Sequence, residues 1–363
     1  MPVKKFLHLV ILSLLLLYSC QVYRMVVFNF ADIKDHKIFP SRPLQKSSQP
    51  FHFYLAQKSR YPDKVLNQPI ENILKQTKTV AFLIIQNDSI LFEKYFNHYS
   101  KESIVPSFSM AKSITSILIG CAIDDGLIHS VEDPVTKYIP ELKKNGFDKV
   151  KIKHLLQMTS GIQFNENYFN PFSGAAALYY GNNLKKQLFK LKLKHEPGTH
   201  FEYISVNTQL LGLILERVLQ NKTIAEYLQE KLWTPLGMEF DASWSIDKNK
   251  NGIEKTFCCI NARARDFAKI GRLYLNKGNW NGKQIVSEQW IETSTKIDTT
   301  EGSVSYYQYQ WWLPTPGKDL LAEGFLGQYI YIYPSKNLIV VRLGKKEGNI
   351  NWWKFFRELS KNY

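Results

Sequence analysis

The apolar positions of the chain fall into recognisable runs and stripes, and each predicts an element. Val80-Ala81-Phe82-Leu83-Ile84-Ile85 is continuous and short, Asn87-Asp88-Ser89 breaks it, and Ile90-Leu91-Phe92-Glu93-Lys94-Tyr95 resumes it. Short apolar runs bounded by turn residues read as strands, so this stretch predicts a hairpin. Pro106-Ser107 then opens a helix. Its apolar residues Ile114, Ile117, Leu118, Cys121 and Ala122 recur at helical spacing, and Gly126 stops it. Further helices are predicted near 152–158, 206–220, 223–231 and 264–276. Strands return at 329–333 and 338–343, on either side of a turn at 334–337, and a helix from Trp352 to Leu359 closes the chain.

Strands thus come from both ends of the sequence and helices from its middle. Regular alternation of strand and helix is missing, which argues against a doubly wound parallel sheet. The prediction is an α+β fold: an antiparallel sheet flanked by N- and C-terminal helices, with a mostly helical insertion over about 127–300. Residues 21–70 contain short polar and proline-bearing stretches such as Lys46-Ser47-Ser48-Gln49-Pro50 and read as a tether with little regular structure. The expected division is therefore 1–20, 21–70 and a domain over 71–363.

The first twenty residues predict export. Lys4 and Lys5 precede an apolar run at 6–17 that is too short by itself to span a bilayer, which needs about 20 residues. The run ends at Leu17-Tyr18-Ser19-Cys20, which resembles a bacterial lipobox and makes Cys20 the candidate lipidation site. An uncleaved anchor over 6–23 and a plain cleaved signal are the alternatives. Each places the domain outside the cytoplasm, in the cell envelope and, in the first two cases, on a membrane.

Composition narrows the classes. Hydrophobic residues make up 44% of 363 residues, enough for a large core, and four cysteines are too few for a disulfide-stapled scaffold. Cys121 lies on the apolar helix stripe, and Cys258-Cys259 read as buried thiols. The net charge of +15 reflects scattered lysines with no zinc-finger, basic-zipper or RNA-binding motif beside them. They predict a solvated face, not a nucleic-acid partner. His195 and His200 bracket Pro197-Gly198 and cannot share a helix face, so no metal and no cofactor are expected.

Three stretches carry candidate chemistry. Ser109-Met110-Ala111-Lys112 lies at the start of the predicted helix, where a spacing of three puts both side chains on one face. A serine hydroxyl needs its proton removed before it can attack, and a partly desolvated lysine can take it. Next, the turn Pro197-Gly198 leads to Tyr203-Ile204-Ser205-Val206-Asn207 and an apolar helix. Last, Ala322-Glu323-Gly324-Phe325-Leu326-Gly327-Gln328 leads into the strand at 329–333.

Together these stretches resemble the serine β-lactamase and penicillin-binding-protein superfamily. Asp125-Gly126-Leu127, His154-Leu155-Leu156-Gln157-Met158-Thr159-Ser160-Gly161 and Arg265-Asp266-Phe267-Ala268-Lys269-Ile270-Gly271 strengthen the likeness to its class C-like members. The subgroup most similar is that of the 6-aminohexanoate-dimer hydrolases. The resemblance implies Ser109 as nucleophile assisted by Lys112 and Tyr203. It implies the backbone N–H groups of Ser109 and Phe325 as oxyanion hole. It also implies substrate contacts from Ser205, Asn207, Glu323, Gly324 and Gln328. Ala322-Glu323-Gly324 stands where Lys-Thr-Gly would lie, which removes the cation that meets a substrate carboxylate. The implied reaction is acyl-enzyme hydrolysis of an ester or small amide from a small-molecule or peptide-like substrate. A penicillin-interacting D,D-peptidase or β-lactamase, and a non-catalytic envelope-binding module, are the alternatives. Oligomeric state is left open.

Overall fold

The computed structural model describes residues 21–28 and 30–363. The expected export segment and Cys20 lie outside these residues. Among the described residues no helix is long and apolar enough to cross a membrane.

Eight strands form the main sheet: β1 (Tyr54–Leu55), β2 (Thr79–Gln86), β3 (Ser89–Tyr95), β4 (Tyr307–Gln308), β5 (Trp311–Trp312), β6 (Leu320–Gly324), β7 (Gln328–Tyr333) and β8 (Leu338–Gly344). Their spatial order is β4-β5-β6-β7-β8-β2-β3-β1, so the C-terminal hairpin docks on the N-terminal one through β8 and β2. Neighbours are antiparallel except at one edge, where β1 runs parallel to β3. The turn of the β2–β3 hairpin places Asn87 at φ 50° and Asp88 at φ 58°. Asparagine and aspartate tolerate this left-handed region better than most residues and match the twist of a tight hairpin.

Residues along these strands alternate between two cores. Leu83 and Ile85 of β2, Ile339 and Val341 of β8 and Ile330 of β7 enter the larger core. Phe82 and Ile84, Val340 and Tyr331 enter the smaller one. This is the two-residue period of a pleated strand with both faces covered, which explains why the sequence reads as unbroken apolar runs. Val340 and Val341 are both fully buried, on opposite faces; each such burial stabilises by roughly 1.5–3 kcal/mol.

Four helices fix the frame: α1 (Met110–Asp124), α2 (Ser205–Leu219), α3 (Ala264–Leu275) and α4 (Trp352–Ser360). The α4 residues Trp352, Phe355, Phe356 and Leu359 fill the smaller core. On the other face α3 lies along β7 and β8. Gly271 permits that approach, because a Cβ there would meet Ile339 Cγ2 at 2.9 Å. The α3 segment therefore belongs to the layer on the sheet, although the sequence placed it within the helical insertion. Buried α1 crosses between sheet and insertion, touching β6, β7 and α2.

Residues 30–69 correct the expectation of a tether. Ser41–Leu44 pairs with Ala242–Ser245, β1 joins the main sheet, and Ile33, Phe39, Leu44 and Phe53 are buried in the larger core. Strands of two to four residues show no period in sequence, and their partners lie far along the chain. The start of α1 is likewise later than expected. Val105–Pro106 is a strand paired with Ile260–Ala262, and the helix begins at Met110. A second, four-stranded sheet results, in the order Ser41–Leu44, Ala242–Ser245, Ile260–Ala262, Val105–Pro106. It delivers the chain to Ser109. Cys258 and Cys259, expected as thiols, are joined to each other by a disulfide, while Cys121 is free and buried.

Candidate active site

Ser109 sits at the N-cap of α1, where the strand Val105–Pro106 turns into the helix. The turn holds Phe108 at φ 44°, an uncommon conformation for a bulky residue. It is clamped from both sides: Ser107 N donates to the Ile260 carbonyl (2.7 Å), and Ile260 N donates to Ser107 Oγ (3.0 Å). One helical turn on, Lys112 Nζ lies 2.9 Å from Ser109 Oγ, 3.1 Å from Ser205 Oγ and 3.1 Å from the Phe257 carbonyl oxygen. Lys112 is 1% exposed. Burial lowers its pKa to about 8, with Glu166 as an opposing attraction.

Hydrogen-atom counting around Lys112 fixes the orientation of its amine. The Phe257 carbonyl can only accept. Ser205 has one hydrogen, which goes to Glu166 Oε1 across 2.5 Å, while Ser205 N donates to Glu166 Oε2 at 2.8 Å. Ser205 Oγ therefore accepts from Lys112, and its remaining acceptor site is free for the Tyr168 hydroxyl at 2.8 Å. A neutral amine has two hydrogens and one lone pair. The hydrogens go to Phe257 and Ser205, so the lone pair is left for Ser109.

Tyr203 completes the cluster. Its ring centre is 5.0 Å from Lys112 Nζ. It also stacks on Trp312, with ring centres 5.2 Å apart. Burial drives the phenol pKa far up, against the opposing pull of the Ser109 hydroxyl, so it is held as a neutral phenol.

The third stretch lies at the end of β6. A Cβ on Gly324 would approach the Ser107 carbonyl oxygen at 2.4 Å and Ser109 N at 3.2 Å, so only glycine lets this strand end close on the serine loop. Phe325 follows and is 41% exposed at the cleft. Glu323 faces the same cleft. Trp353 Nε1 donates to its carboxylate at 3.0 Å, but burial dominates and raises its pKa to about 7.

Ser109, Tyr203, Glu323, Gly324 and Phe325 thus share one cleft of about 260 Å³. Its walls are largely aromatic, with Phe108, Tyr168, Tyr179 and Trp312, and its polar lining includes Glu166, Glu323 and Glu347. Among the described residues that line it there is no lysine or arginine. Ser205 stands behind the cleft, against Lys112. Three residues expected to contact substrate therefore do not line the cleft: fully buried Ser205, Asn207 and Gln328. Asn207 is fully buried in α2, where its Oδ1 accepts from Ser160 Oγ at 2.6 Å and its amide meets Met158 Sδ. Gln328 is fully buried. Its amide donates to the Phe325 and Gly344 carbonyls and accepts from Gly344 N, which ties β7 to β8. Conversely, Glu166 and Tyr168 were missed. They come from the loop before Gly174–Tyr180, where no periodicity or motif marks them.

A family model described as Beta-lactamase matches residues 66–351. The 6-aminohexanoate-dimer hydrolase of Paenarthrobacter ureafaciens is 29% identical over 306 residues, covering 78% of this chain and 76% of that protein. A solved Bacillus anthracis structure, assigned as a 6-aminohexanoate-dimer hydrolase, superposes with a TM-score of 0.79 at 24% identity and 91% coverage of both chains. A family VIII carboxylesterase superposes with a TM-score of 0.64 at 17% identity, covering 79% of this chain and 93% of that one. With the family model spanning most of the chain, and an α+β fold shared with these hydrolases, the protein belongs to the beta-lactamase family.

Proposed function

We propose that the protein is a serine hydrolase that forms an acyl-enzyme on Ser109 and cleaves an ester or small amide. The observation that carries this reading is the hydrogen bonding around Lys112, whose other two partners take its hydrogens once it is deprotonated and leave the lone pair to the Ser109 hydroxyl. Neutral Lys112 takes the proton as Ser109 Oγ attacks the carbonyl. The backbone N–H groups of Ser109 and Phe325 receive the oxyanion; each such donor contributes about 3 kcal/mol to the barrier reduction. The Lys112 ammonium then returns the proton to the leaving group, with the neutral Tyr203 phenol as the nearby donor. Water repeats the sequence on the acyl-enzyme.

Charge in the cleft favours esters and amides over substrates that carry a carboxylate beside the scissile bond. Three glutamates line the cleft, and no lysine or arginine is among its described lining residues. A β-lactam or a D-Ala-D-Ala terminus would bring its anion toward Glu323 and Glu347. A linear amide with an ammonium end, as in the substrate named for the Paenarthrobacter relative, fits that charge better. Attachment to a membrane through the N-terminus belongs to the same reading and rests on the sequence of residues 1–20.

The test exposes the protein and its Ser109→Ala variant to a fluorophosphonate, an aryl ester, a chromogenic β-lactam and a D-Ala-D-Ala peptide. Labelling and ester turnover in the wild type, both lost in the variant, are expected. Identical behaviour of the two proteins throughout would remove the enzyme reading. Acylation by the β-lactam without ester turnover would favour a penicillin-interacting peptidase.

A further inference from the structure

Cys258 and Cys259 form a disulfide between neighbouring residues, and Cys258 is part of the cleft wall beside Phe257. The pair sits between the supports of Lys112 and of Ser109. On one side the Phe257 carbonyl receives the hydrogen bond from Lys112 Nζ. On the other, Ile260 is bonded in both directions to Ser107, two residues before Ser109. Cys259 is held at φ 73°, in the left-handed region that a side chain disfavours. The Cys258 carbonyl accepts from Trp244 Nε1 at 3.0 Å and the Cys259 carbonyl from Ser245 N at 3.0 Å. The sulfurs have no part in the hydrolysis described above. A bond between adjacent side chains closes a small ring around the peptide that joins them, and that peptide cannot rotate freely while the bond lasts.

We propose that the Cys258–Cys259 disulfide is a reducible positioning element of this site: oxidised, it holds the Phe257 carbonyl against Lys112, and its reduction slows acylation of Ser109. The inference rests on the serine hydrolase reading. The step is thiol–disulfide exchange with a dithiol. One thiolate of the reductant attacks a cysteine sulfur, the S–S bond breaks and a mixed disulfide forms. The second thiolate of the reductant then closes on the first. Two electrons and two protons pass to the pair, which becomes two thiols, and the dithiol becomes a cyclic disulfide. Cys258 and Cys259 are only 3% and 2% exposed, so the reductant has to reach the bond from the cleft, whose wall Cys258 helps to form. Once opened, Cys259 is free to leave its left-handed conformation, and the Phe257 carbonyl and Ile260 amide move with it. Lys112 then loses an acceptor that orients its lone pair. A hydrogen bond to the ammonium also favours the charged form, so its loss lowers the basicity of Lys112 further.

The experiment uses the full chain in air-oxidised form and after dithiothreitol, with thiols counted by alkylation and mass spectrometry. Reduction should expose two additional thiols. It should lower kcat for an aryl ester by about tenfold or more per fluorophosphonate-titrated site, with KM changed by less than about threefold. The ascending limb of the pH profile should move to lower pH, and reoxidation should restore both. The Cys258→Ala, Cys259→Ala double variant should show the slow rate and shifted profile with or without dithiothreitol. A disulfide that only supports the fold would reduce the number of titratable sites and leave the rate per site and the pH limb unchanged; that result overturns the proposal. So does a double variant with wild-type rate and profile, a bond that resists reduction in the folded chain, or a protein isolated in air with both thiols free. If the oxidised chain takes no fluorophosphonate at Ser109, the hydrolase reading fails instead. A labelled enzyme indifferent to reduction defeats this inference alone.

Discussion

Lys112 and Lys255 are buried alike, at 1% and 0% exposure, and burial pulls both down in basicity, to about 8 and about 7. Their surroundings differ. Lys255 Nζ donates to the carbonyls of Leu178 (3.3 Å) and Tyr179 and lies 4.1 Å from the centre of the Phe39 ring. Each of those partners takes a hydrogen or a positive charge, and none has a proton to give. Lys112 meets one carbonyl and two hydroxyls, and the hydrogen of one hydroxyl is already committed to Glu166. Under the proposed function the same desolvation makes a base of Lys112, whereas Lys255 is a tie for the N-terminal segment. A lowered pKa creates chemistry only where the lone pair faces a proton that something needs removed.

Substitutions at the two lysines give the widest separation. Lys112→Met should lower kcat for an aryl ester by about 10²–10⁴-fold, the usual worth of a positioned base. Lys255→Met should keep kcat within about tenfold of wild type, since that side chain touches no reacting atom. Steady-state rates normalised to fluorophosphonate-titrated sites measure both, and comparable losses in the two variants would erase the distinction.

Next in size is Gly324→Ala. Its Cβ would press on the Ser107 carbonyl and displace the strand end from Ser109 N. A misplaced oxyanion donor costs about 10²–10³-fold in kcat. The loss should appear in kcat, with the far-ultraviolet circular dichroism unchanged.

A smaller, energetic effect separates the lysines by pH. An unfolded lysine titrates near 10.4, and folded Lys255 near 7. Between those values the unfolded chain binds more protons, so stability rises with pH, by at most roughly 1.4 kcal/mol per pH unit for this group. Denaturant unfolding of Lys255→Met between pH 7 and 10 should give a shallower rise than wild type. Parallel curves would contradict the assignment.

The smallest effect is expected at Glu323. Glu323→Gln removes a carboxyl that titrates near 7 and should raise acylation by a chromogenic β-lactam by about tenfold at pH 8, where the wild-type group is charged. The gain should shrink at pH 6. A pH-independent change would mean that its charge does not govern substrate choice.

The sequence made legible whatever is local. Ser109 and Lys112 share one turn of α1 and Tyr203 lies just before α2, so short motifs read together with the family resemblance singled them out. The central hairpins were legible because both faces of their strands are apolar. What was not legible depends on distant partners. Glu166 acquires meaning only because the loop carrying it reaches Ser205, 39 residues on. Asn207 and Gln328 have side chains suited to binding substrate, but their faces point inward, and nothing in a linear pattern reveals the direction of a single polar residue. The segment at 30–69 is ordered by the strands and aromatic residues it meets, such as Tyr179, whose hydroxyl donates to Asp35 at 2.7 Å. The vicinal disulfide depends on a left-handed residue at Cys259 that composition cannot announce.

The most direct test of the claim about Lys112 is the rate constant for phosphonylation of Ser109 as a function of pH. In the wild type it should rise through a single step near pH 8, where Lys112 loses its proton. Lys255→Met should retain that step and Lys112→Met should lose it. A flat wild-type profile, or a step that survives in Lys112→Met, would show that some other group activates the serine.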